Sequence, residues 1–214
     1  MSRKVKIYPL VLSTALVSCT AAALLAWVYL ITVGPIAALQ QKKTNEALRQ
    51  MLPAFNNQPA QETVTLDGVT FYTARQDGKI IGFAGETVTH KGYAGDVSVM
   101  AGLKPDGTVT TVIVTKQSET PGLGTVVTER VREKTLSGLL SGKKETGLPP
   151  NKILDQFNGM KAAAGQTPWA VRKDGGNLDA VTGATITSRA VGGAVFTIAE
   201  KFSGNHEQLL KEIK

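Results

Sequence analysis

Cysteine and histidine are almost absent from this sequence, which has one cysteine and two histidines in 214 residues. The single cysteine, Cys19, excludes an intramolecular disulfide and a cysteine-based zinc site. Two histidines, His90 and His206, are too few for a histidine metal cluster. The sequence also lacks a Ser-His-Asp arrangement in a suitable context and a dinucleotide-binding fingerprint. We therefore expect neither a metal site nor a complete catalytic site in this chain alone.

Charge of one sign is not concentrated in any segment, although the chain has 24 lysines and arginines against 17 acidic residues. A net charge of +7 can indicate a nucleic-acid partner. Here, however, the basic residues are scattered among acidic ones, and no basic stripe alternates with aromatic residues, so we expect no nucleic-acid binding. A position near a membrane surface, or beside an acidic partner protein, suits this charge balance better.

No charged residue occurs from Val11 to Val33, and this stretch predicts a transmembrane helix because about 20 apolar residues can span a bilayer. Trp27 and Tyr29 lie toward its end, where amphipathic rings favour the membrane interface. The basic residues within positions 1–6 favour an N-terminus inside the cell, whereas the lysines at 42–43 favour the reverse. We expect the N-terminus inside and the bulk of the chain outside.

Two other interpretations of the apolar stretch remain open. A cleaved signal peptide has a shorter apolar region and a small-residue cleavage site, and no sharp polar boundary closes the run here. Leu16 to Cys19 resembles a lipobox, the signal for lipid attachment to cysteine, but the apolar run continues well past Cys19. We therefore prefer an uncleaved anchor in which Cys19 is a small apolar side chain.

The rest of the chain predicts one α+β domain, with helices flanking an antiparallel sheet. We expect these segments: 1–34 membrane anchor, 35–62 helix and linker, 63–204 the folded domain, 205–214 C-terminal tail. Asp-Gly pairs at Asp67, Asp77 and Asp106 are typical of tight hairpin turns. They predict a meander of about four strands. Apolar residues alternate with others from Asp96 to Leu103, which predicts a strand with one buried face.

The chain leaves the predicted sheet through Glu119-Thr120-Pro121-Gly122-Leu123-Gly124. One proline and two glycines give a fixed loop whose backbone can closely approach a flat ligand. The loop is no dinucleotide fingerprint, because the third glycine is missing, and a plain strand-to-helix connection is the alternative. We expect a helix from Val126 to about Leu140 and a returning strand from Trp169 to Lys173.

A second polar stretch, Asp179-Ala180-Val181-Thr182-Gly183-Ala184-Thr185, stands directly before a segment with helical spacing. The apolar residues of that segment are Val191, Val195, Ile198 and Phe202. Free backbone N–H groups and the helix dipole at such a helix start attract an anion. Thr187 or Ser188 would serve as the N-cap, and capping alone is the simpler explanation of these hydroxyl side chains.

The same stretch matches Asp-x-x-(Ser/Thr)-Gly-Ala-Thr, the flavinylation motif of the FMN-binding domain family. The chain resembles RnfG, the member of this family in the Rnf electron-transport complex. The related member in the sodium-pumping NADH:quinone reductase is the close alternative, and the lack of long insertions favours RnfG. In this family the last threonine of the motif carries FMN through a phosphoester bond, formed by a separate flavin transferase. By position, that threonine is Thr185.

The resemblance extends to the loop after the sheet, which lies beside the flavin in the family, and to Gly92-Tyr93-Ala94-Gly95. Whether Tyr93 contacts flavin or belongs to the core stays open. The resemblance implies the following cofactor-binding residues: Asp179, Thr182, Gly183, Ala184, Thr185, Glu119, Thr120, Pro121, Gly122, Leu123 and Gly124.

The resemblance also implies a function: an electron-transfer subunit with covalent FMN in a membrane complex that couples ferredoxin-to-NAD electron flow to sodium or proton transport. The implied partners are the other subunits of the complex, the flavin transferase and the membrane. The implied location is the bacterial inner membrane, with the FMN domain on the periplasmic side. The alternatives are a membrane-anchored binding or assembly module without a cofactor, and a stand-alone FMN reductase, for which the sequence shows no reductant site.

Overall fold

The computed structural model describes residues 7–131 and 147–212, and the chain divides into two compact units, Met1–Lys43 and Thr44–Lys214. One helix, α1, runs from Ile7 to Met51 with Pro35 inside it. By length and composition α1 can cross a membrane. The threonines of its apolar part donate their hydroxyls to carbonyls four residues earlier at 2.8 Å, as a lipid environment requires: Thr14, Thr20 and Thr32.

The second unit is built on a five-stranded antiparallel sheet whose strands lie in chain order. The strands are β1 (Thr63–Leu66), β2 (Val69–Gln76), β3 (Lys79–Thr89), β4 (Val97–Leu103) and β5 (Val109–Lys116). Asp67 and Asp77 adopt φ values of 49° and 51°, and the glycines after them have φ values of 79° and 78°. These values define the two-residue turns that Asp-Gly pairs favour between antiparallel strands. The short β1 is the strand beyond the four predicted.

Helices and one 3-10 turn follow the sheet in the described part of the chain. They are α2 (Gly124–Thr128), α3 (Lys152–Asp155), the 3-10 turn (Arg172–Asp174), α4 (Thr185–Gly204) and α5 (His206–Glu212). The longest of them, α4, packs against β3 and β4 with the apolar residues that its spacing predicted, including Ile198 and Phe202. The α+β class, with a long apolar N-terminal helix and helices flanking an antiparallel sheet, is thus confirmed.

The prediction that β4 has one buried face is wrong, because all seven of its residues are buried. Val99 and Ala101 belong to the core cluster that contains α4. Met100 points to the opposite face, where it packs with Leu48 and Met51 from the last turns of α1. Helix α1 therefore supplies a second cover for the sheet, which the alternation within β4 does not reveal.

The predicted helix from Val126 to about Leu140 is also corrected where the structure describes it. Helix α2 begins at Gly124 and ends at Thr128, and Glu129 is extended. The neighbouring Arg130 explains the end of the helix, since its guanidinium donates to the Val112 carbonyl at 3.0 Å and to the Asp155 carboxylate at 2.7 Å. Residues 132–140 of the predicted helix lie outside the described residues.

The predicted strand from Trp169 to Lys173 is not formed. Within it, Val171 makes a single bridge with Leu178, and the chain then enters the 3-10 turn. A side chain at Gly176 would collide with the Ala170 carbonyl, so this reversal is tight. The indole of Trp169 packs edge-on against Phe196 of α4, with ring centroids 5.3 Å apart. The apolar residues that suggested a strand therefore serve core packing instead of sheet pairing.

Candidate functional site

Segments that are distant in the sequence surround a cavity of about 500 Å³ at one end of the sheet, where β3 and β5 finish and β4 begins. They are the loop between β3 and β4, the loop from β5 into α2, and the first turns of α4. The 3-10 turn adds one further residue. A volume of this size lies within the range of about 300–1,000 Å³ that is typical of small-molecule sites.

Most residues that the sequence singled out line this cavity: Glu119, Thr120, Leu123, Gly124, Gly183, Ala184 and Thr185. Four of them are not among the lining residues: Asp179, Thr182, Pro121 and Gly122. The cavity also contains residues that were not proposed as cofactor ligands: Tyr93, Lys173, Ile186, Thr187 and Arg189. Sequence position alone gave no signal for Lys173 and Arg189, since they are ordinary basic residues until the fold brings them to the cavity.

Glu119 connects the three segments of the cavity. Its side chain is only 5% exposed. Oε2 accepts a 2.7 Å hydrogen bond from the Thr187 hydroxyl of α4, and Oε1 accepts a 3.3 Å bond from the Ala94 backbone N–H. A Cβ atom at Gly124 would lie 2.6 Å from Oε2 of Glu119, so a glycine is required there. The loop after β5 is therefore fixed from both sides by one buried carboxylate.

The first turn of α4 presents Thr185 differently from its neighbours. Helix α4 begins at Thr185 itself, and Ala184 occupies the cap position without a side-chain hydrogen bond, so the predicted N-cap role of Thr187 or Ser188 is wrong. The Thr187 hydroxyl donates to Glu119, and the Ser188 hydroxyl donates to the Ala184 carbonyl at 3.0 Å. The Thr185 hydroxyl makes no hydrogen bond to any other residue that the structure describes.

The backbone at this helix start is electropositive. Ser188 is the first residue of α4 whose N–H donates to a carbonyl within the helix turn, that of Ala184. The N–H groups of residues 185–187 have no hydrogen-bond partner among the described residues, as expected for a first helical turn. They lie at the positive end of the dipole of a 20-residue helix. The arrangement favours a negative group near Thr185.

Asp179, the first residue of the motif, is held away from the cavity. Its Oδ1 pairs with Nε of Arg172 at 2.8 Å, and its Oδ2 lies 3.8 Å from Nζ of Lys152. Its backbone N–H donates to the side chain of Gln156 at 2.6 Å. In the described structure Asp179 therefore anchors the start of the motif to α3 and to the 3-10 turn.

Two basic side chains face a single acidic one near the opening of the cavity. Nε and Nη2 of Arg189 donate to the two carboxylate oxygens of Asp174, each at 2.6 Å. This hydrogen bonding lowers the pKa of Asp174 and raises the pKa of Arg189. Lys173 precedes Asp174 and also lines the cavity.

The rest of the lining includes exposed apolar groups. Tyr93 is 68% exposed, so the fold removes it from the core and leaves the flavin-contact interpretation open. Leu123 and Ile186 are also exposed although they are large and apolar. Gly183 has a φ of +87°, and a Cβ atom there would lie 3.2 Å from Leu123. A glycine at this position keeps the backbone thin beside Thr185.

Comparison with known proteins assigns the fold and the site to a family. Residues 92–200 match the sequence model of the FMN-binding domain family. A protein of Vibrio cholerae serotype O1, named as the G component of an ion-translocating oxidoreductase complex, is 32% identical over 206 residues, which cover 91% of this chain and 90% of the relative. Proteins of the same name are 34% identical in Haemophilus influenzae, over 78% of this chain and 75% of the relative, and 32% identical in Vibrio atlanticus, over 92% and 91%.

The chain therefore belongs to the FMN-binding domain family. Within that family it is a relative of the G component of ion-translocating oxidoreductase complexes, the protein known as RnfG. The resemblance that rested on the motif ending at Thr185 is confirmed. The matched residues begin at Gly92, in the loop before β4, and end at Glu200, within α4, so they contain every lining residue of the cavity.

Proposed function

We propose that this chain is an electron-transfer subunit of a membrane ion-translocating oxidoreductase complex and that it carries FMN on Thr185 through a phosphoester bond. The observation that supports Thr185 is its hydroxyl, which lies in the cavity wall without a hydrogen bond to another described residue. Thr187 and Ser188, its neighbours in the first turn, have their hydroxyls engaged within the protein. The electropositive start of α4 suits the phosphate that the bond would place there.

The cavity fits the other parts of FMN. Tyr93 and Leu123 offer apolar surface to a flat ring system, and aromatic side chains commonly stack on such rings. Glu119 and Thr120 supply polar groups on the same wall. When bound, FMN supplies the electron-accepting and electron-donating chemistry, and the protein supplies binding, orientation and the electrostatic environment. The residues of this chain thus hold the carrier, whereas donor and acceptor belong to other subunits.

A separate flavin transferase would form the bond, as the resemblance implies. The attacked group must then be reachable from outside the protein, and Thr185 is half-buried at the cavity wall. Gly183 and Ala184 before it carry little or no side chain, so they leave room for an enzyme to approach. Thr182 is exposed too, but it lies outside the cavity residues and makes a matched control.

The membrane assignment combines helix α1 with the naming of the relatives. We place the N-terminus inside the cell and the FMN domain on the extracytoplasmic side of the inner membrane, because basic residues precede the apolar stretch. A cysteine reporter in the tail, probed with a membrane-impermeant thiol reagent in a Cys19→Ser background, tests this orientation. Labelling in intact spheroplasts is expected, and labelling only after lysis would reverse the orientation.

Flavin fluorescence of the protein band after denaturing electrophoresis tests the attachment. The full chain, Thr185→Val and Thr182→Val would each be co-expressed with a flavin transferase. We expect a fluorescent band for the wild type and for Thr182→Val, and a dark band for Thr185→Val. A dark wild-type band, with the transferase active on another substrate, would instead support an anchored binding module without flavin. A fluorescent Thr185→Val band would move the attachment to another residue.

A further inference from the structure

Arg189 lies four residues after Thr185 in α4, so the two side chains share one face of the helix. Both residues line the cavity, together with Lys173 from the 3-10 turn. Two cations thus flank the threonine that the proposed function modifies. No basic residue of the cavity was identified from the motif, because the motif ends at Thr185.

Asp174 fixes the position of the Arg189 side chain. The two 2.6 Å bonds between them use Nε and Nη2 of the guanidinium. The N–H groups of Nη1 make no hydrogen bond to another residue in the described ranges, and they remain available for an oxygen ligand. A guanidinium that is already held in place loses less side-chain freedom when it binds a phosphate.

Lys173 and Glu119 give the cavity two electrostatically different sides. Lys173 forms no ion pair with any residue in the described part of the chain. Glu119 is the carboxylate among the lining residues, and its oxygens accept from Thr187 and from the Ala94 N–H. The negative charge is thus contributed by the loop after β5, while the positive charges come from α4 and the 3-10 turn.

We propose that Arg189 and Lys173 bind the phosphate of the flavin attached to Thr185, and that Asp174 is a positioning residue for the guanidinium. The inference rests on the proposed function, because it requires a phosphate at Thr185. A phosphodiester keeps one negative charge and two free oxygens, which the planar donors of arginine can approach together. Lysine adds a second, more flexible charge to the same group.

Phosphorus NMR of the full flavin-loaded chain, in a detergent without phosphorus, tests this site. The phosphodiester signal of the wild type is expected at a different chemical shift in the folded chain than after denaturation. Arg189→Gln should remove most of this difference, and Lys173→Gln should remove part of it. Lys79→Gln is the matched control, because Lys79 is an exposed lysine at the hairpin between β2 and β3.

Arg189→Lys and Lys173→Gln keep the test decisive if Arg189→Gln does not fold. Arg189→Lys retains the charge and should retain part of the shift difference, which a purely structural role would not produce. A signal that is unchanged in Lys173→Gln and in the folded Arg189 variants would overturn the phosphate site and leave the flavin attachment intact. A wild-type chain without any phosphodiester signal would instead overturn the proposed function itself.

Discussion

The Thr187 hydroxyl donates a 2.7 Å hydrogen bond to the Glu119 carboxylate, although the residues are 68 positions apart in the chain. Both side chains are buried, with exposures of 1% for Thr187 and 5% for Glu119. The other carboxylate oxygen accepts from the Ala94 N–H, so the bond is part of a small network. This network joins the start of α4 to both loops at the end of the sheet and thereby determines the shape of the cavity.

A double-mutant cycle should show that this hydrogen bond stabilises the domain. Thr187→Val and Glu119→Gln are each expected to lower the free energy of unfolding by about 1–3 kcal/mol, because each leaves a buried polar group without its partner. Together they should show a coupling energy of about 0.5–3 kcal/mol. Urea unfolding of the full chain, followed by Trp169 fluorescence in a Trp27→Phe background, measures both quantities.

Thr182→Val controls for the loss of a threonine hydroxyl as such, because Thr182 is exposed. Its free energy of unfolding should stay within about 0.5 kcal/mol of the wild type. Strictly additive effects of Thr187→Val and Glu119→Gln would contradict a direct interaction between the two side chains.

Two glycine-to-alanine substitutions should change stability in opposite directions. At Gly124 the new Cβ atom would lie 2.6 Å from Glu119, and we expect a loss of about 1–3 kcal/mol through overpacking. At Gly193, inside α4, the new Cβ atom meets nothing within 4 Å, and a gain of about 0.5–1 kcal/mol is expected from helix propensity. Urea unfolding measures both.

Flavin loading provides a second measurement on the same pair. Gly124→Ala should also reduce the fluorescence of the denatured band, since Gly124 lines the cavity and Gly193 does not. Equal effects of the two substitutions on stability would mean that the contact between Glu119 and Gly124 is not as close as described.

Local chemistry is what the sequence predicted well. The Asp-Gly turns depend on the conformations of two adjacent residues, and the spacing of Ile198 and Phe202 reflects the period of one helix. The cover of β4 by α1 could not be predicted, because residues about fifty positions earlier bury Met100. The convergence of Lys173 and Arg189 on the cavity likewise depends on a tight turn at Gly176 that apolar patterning had suggested was a strand.

The last turns of α1 should contribute to the stability of the folded domain. Leu48 is 1% exposed and packs with Tyr72, Ala84 and Met100 on the sheet. Leu48→Ala is expected to lower the free energy of unfolding by about 2–5 kcal/mol, since it removes buried methyl groups and leaves a cavity. Leu25→Ala, at an exposed leucine of the apolar stretch, is the control.

Trp169 fluorescence during urea unfolding of the full chain distinguishes these outcomes. If Leu48→Ala unfolds at the wild-type urea concentration, the end of α1 is not part of the domain core. If Leu25→Ala is equally destabilised, the effect belongs to the helix in general and not to its contact with the sheet.

Tyr72 should make the domain lose stability at alkaline pH. Burial raises the pKa of Tyr72 well above its ordinary value, and the 2.7 Å hydrogen bond to Glu86, together with the charge of Glu86, raises the pKa further. The neutral phenol is therefore favoured in the folded state. Its contribution is complete below the unfolded pKa of about 10 and is lost as the pH rises from there toward the folded pKa, at up to about 1.4 kcal/mol per pH unit.

Tyr72→Phe removes this titration, so the difference in unfolding free energy between wild type and variant should be constant from pH 7 to pH 9. Above about pH 10 the wild type should lose stability faster than the variant, since only the wild type must release this proton from the folded state. Glu86→Gln should show a weaker alkaline loss than the wild type, because two of the causes that raise the pKa of Tyr72 are then changed. Parallel curves for wild type and Tyr72→Phe up to pH 11 would show that the phenol is not held neutral by the fold.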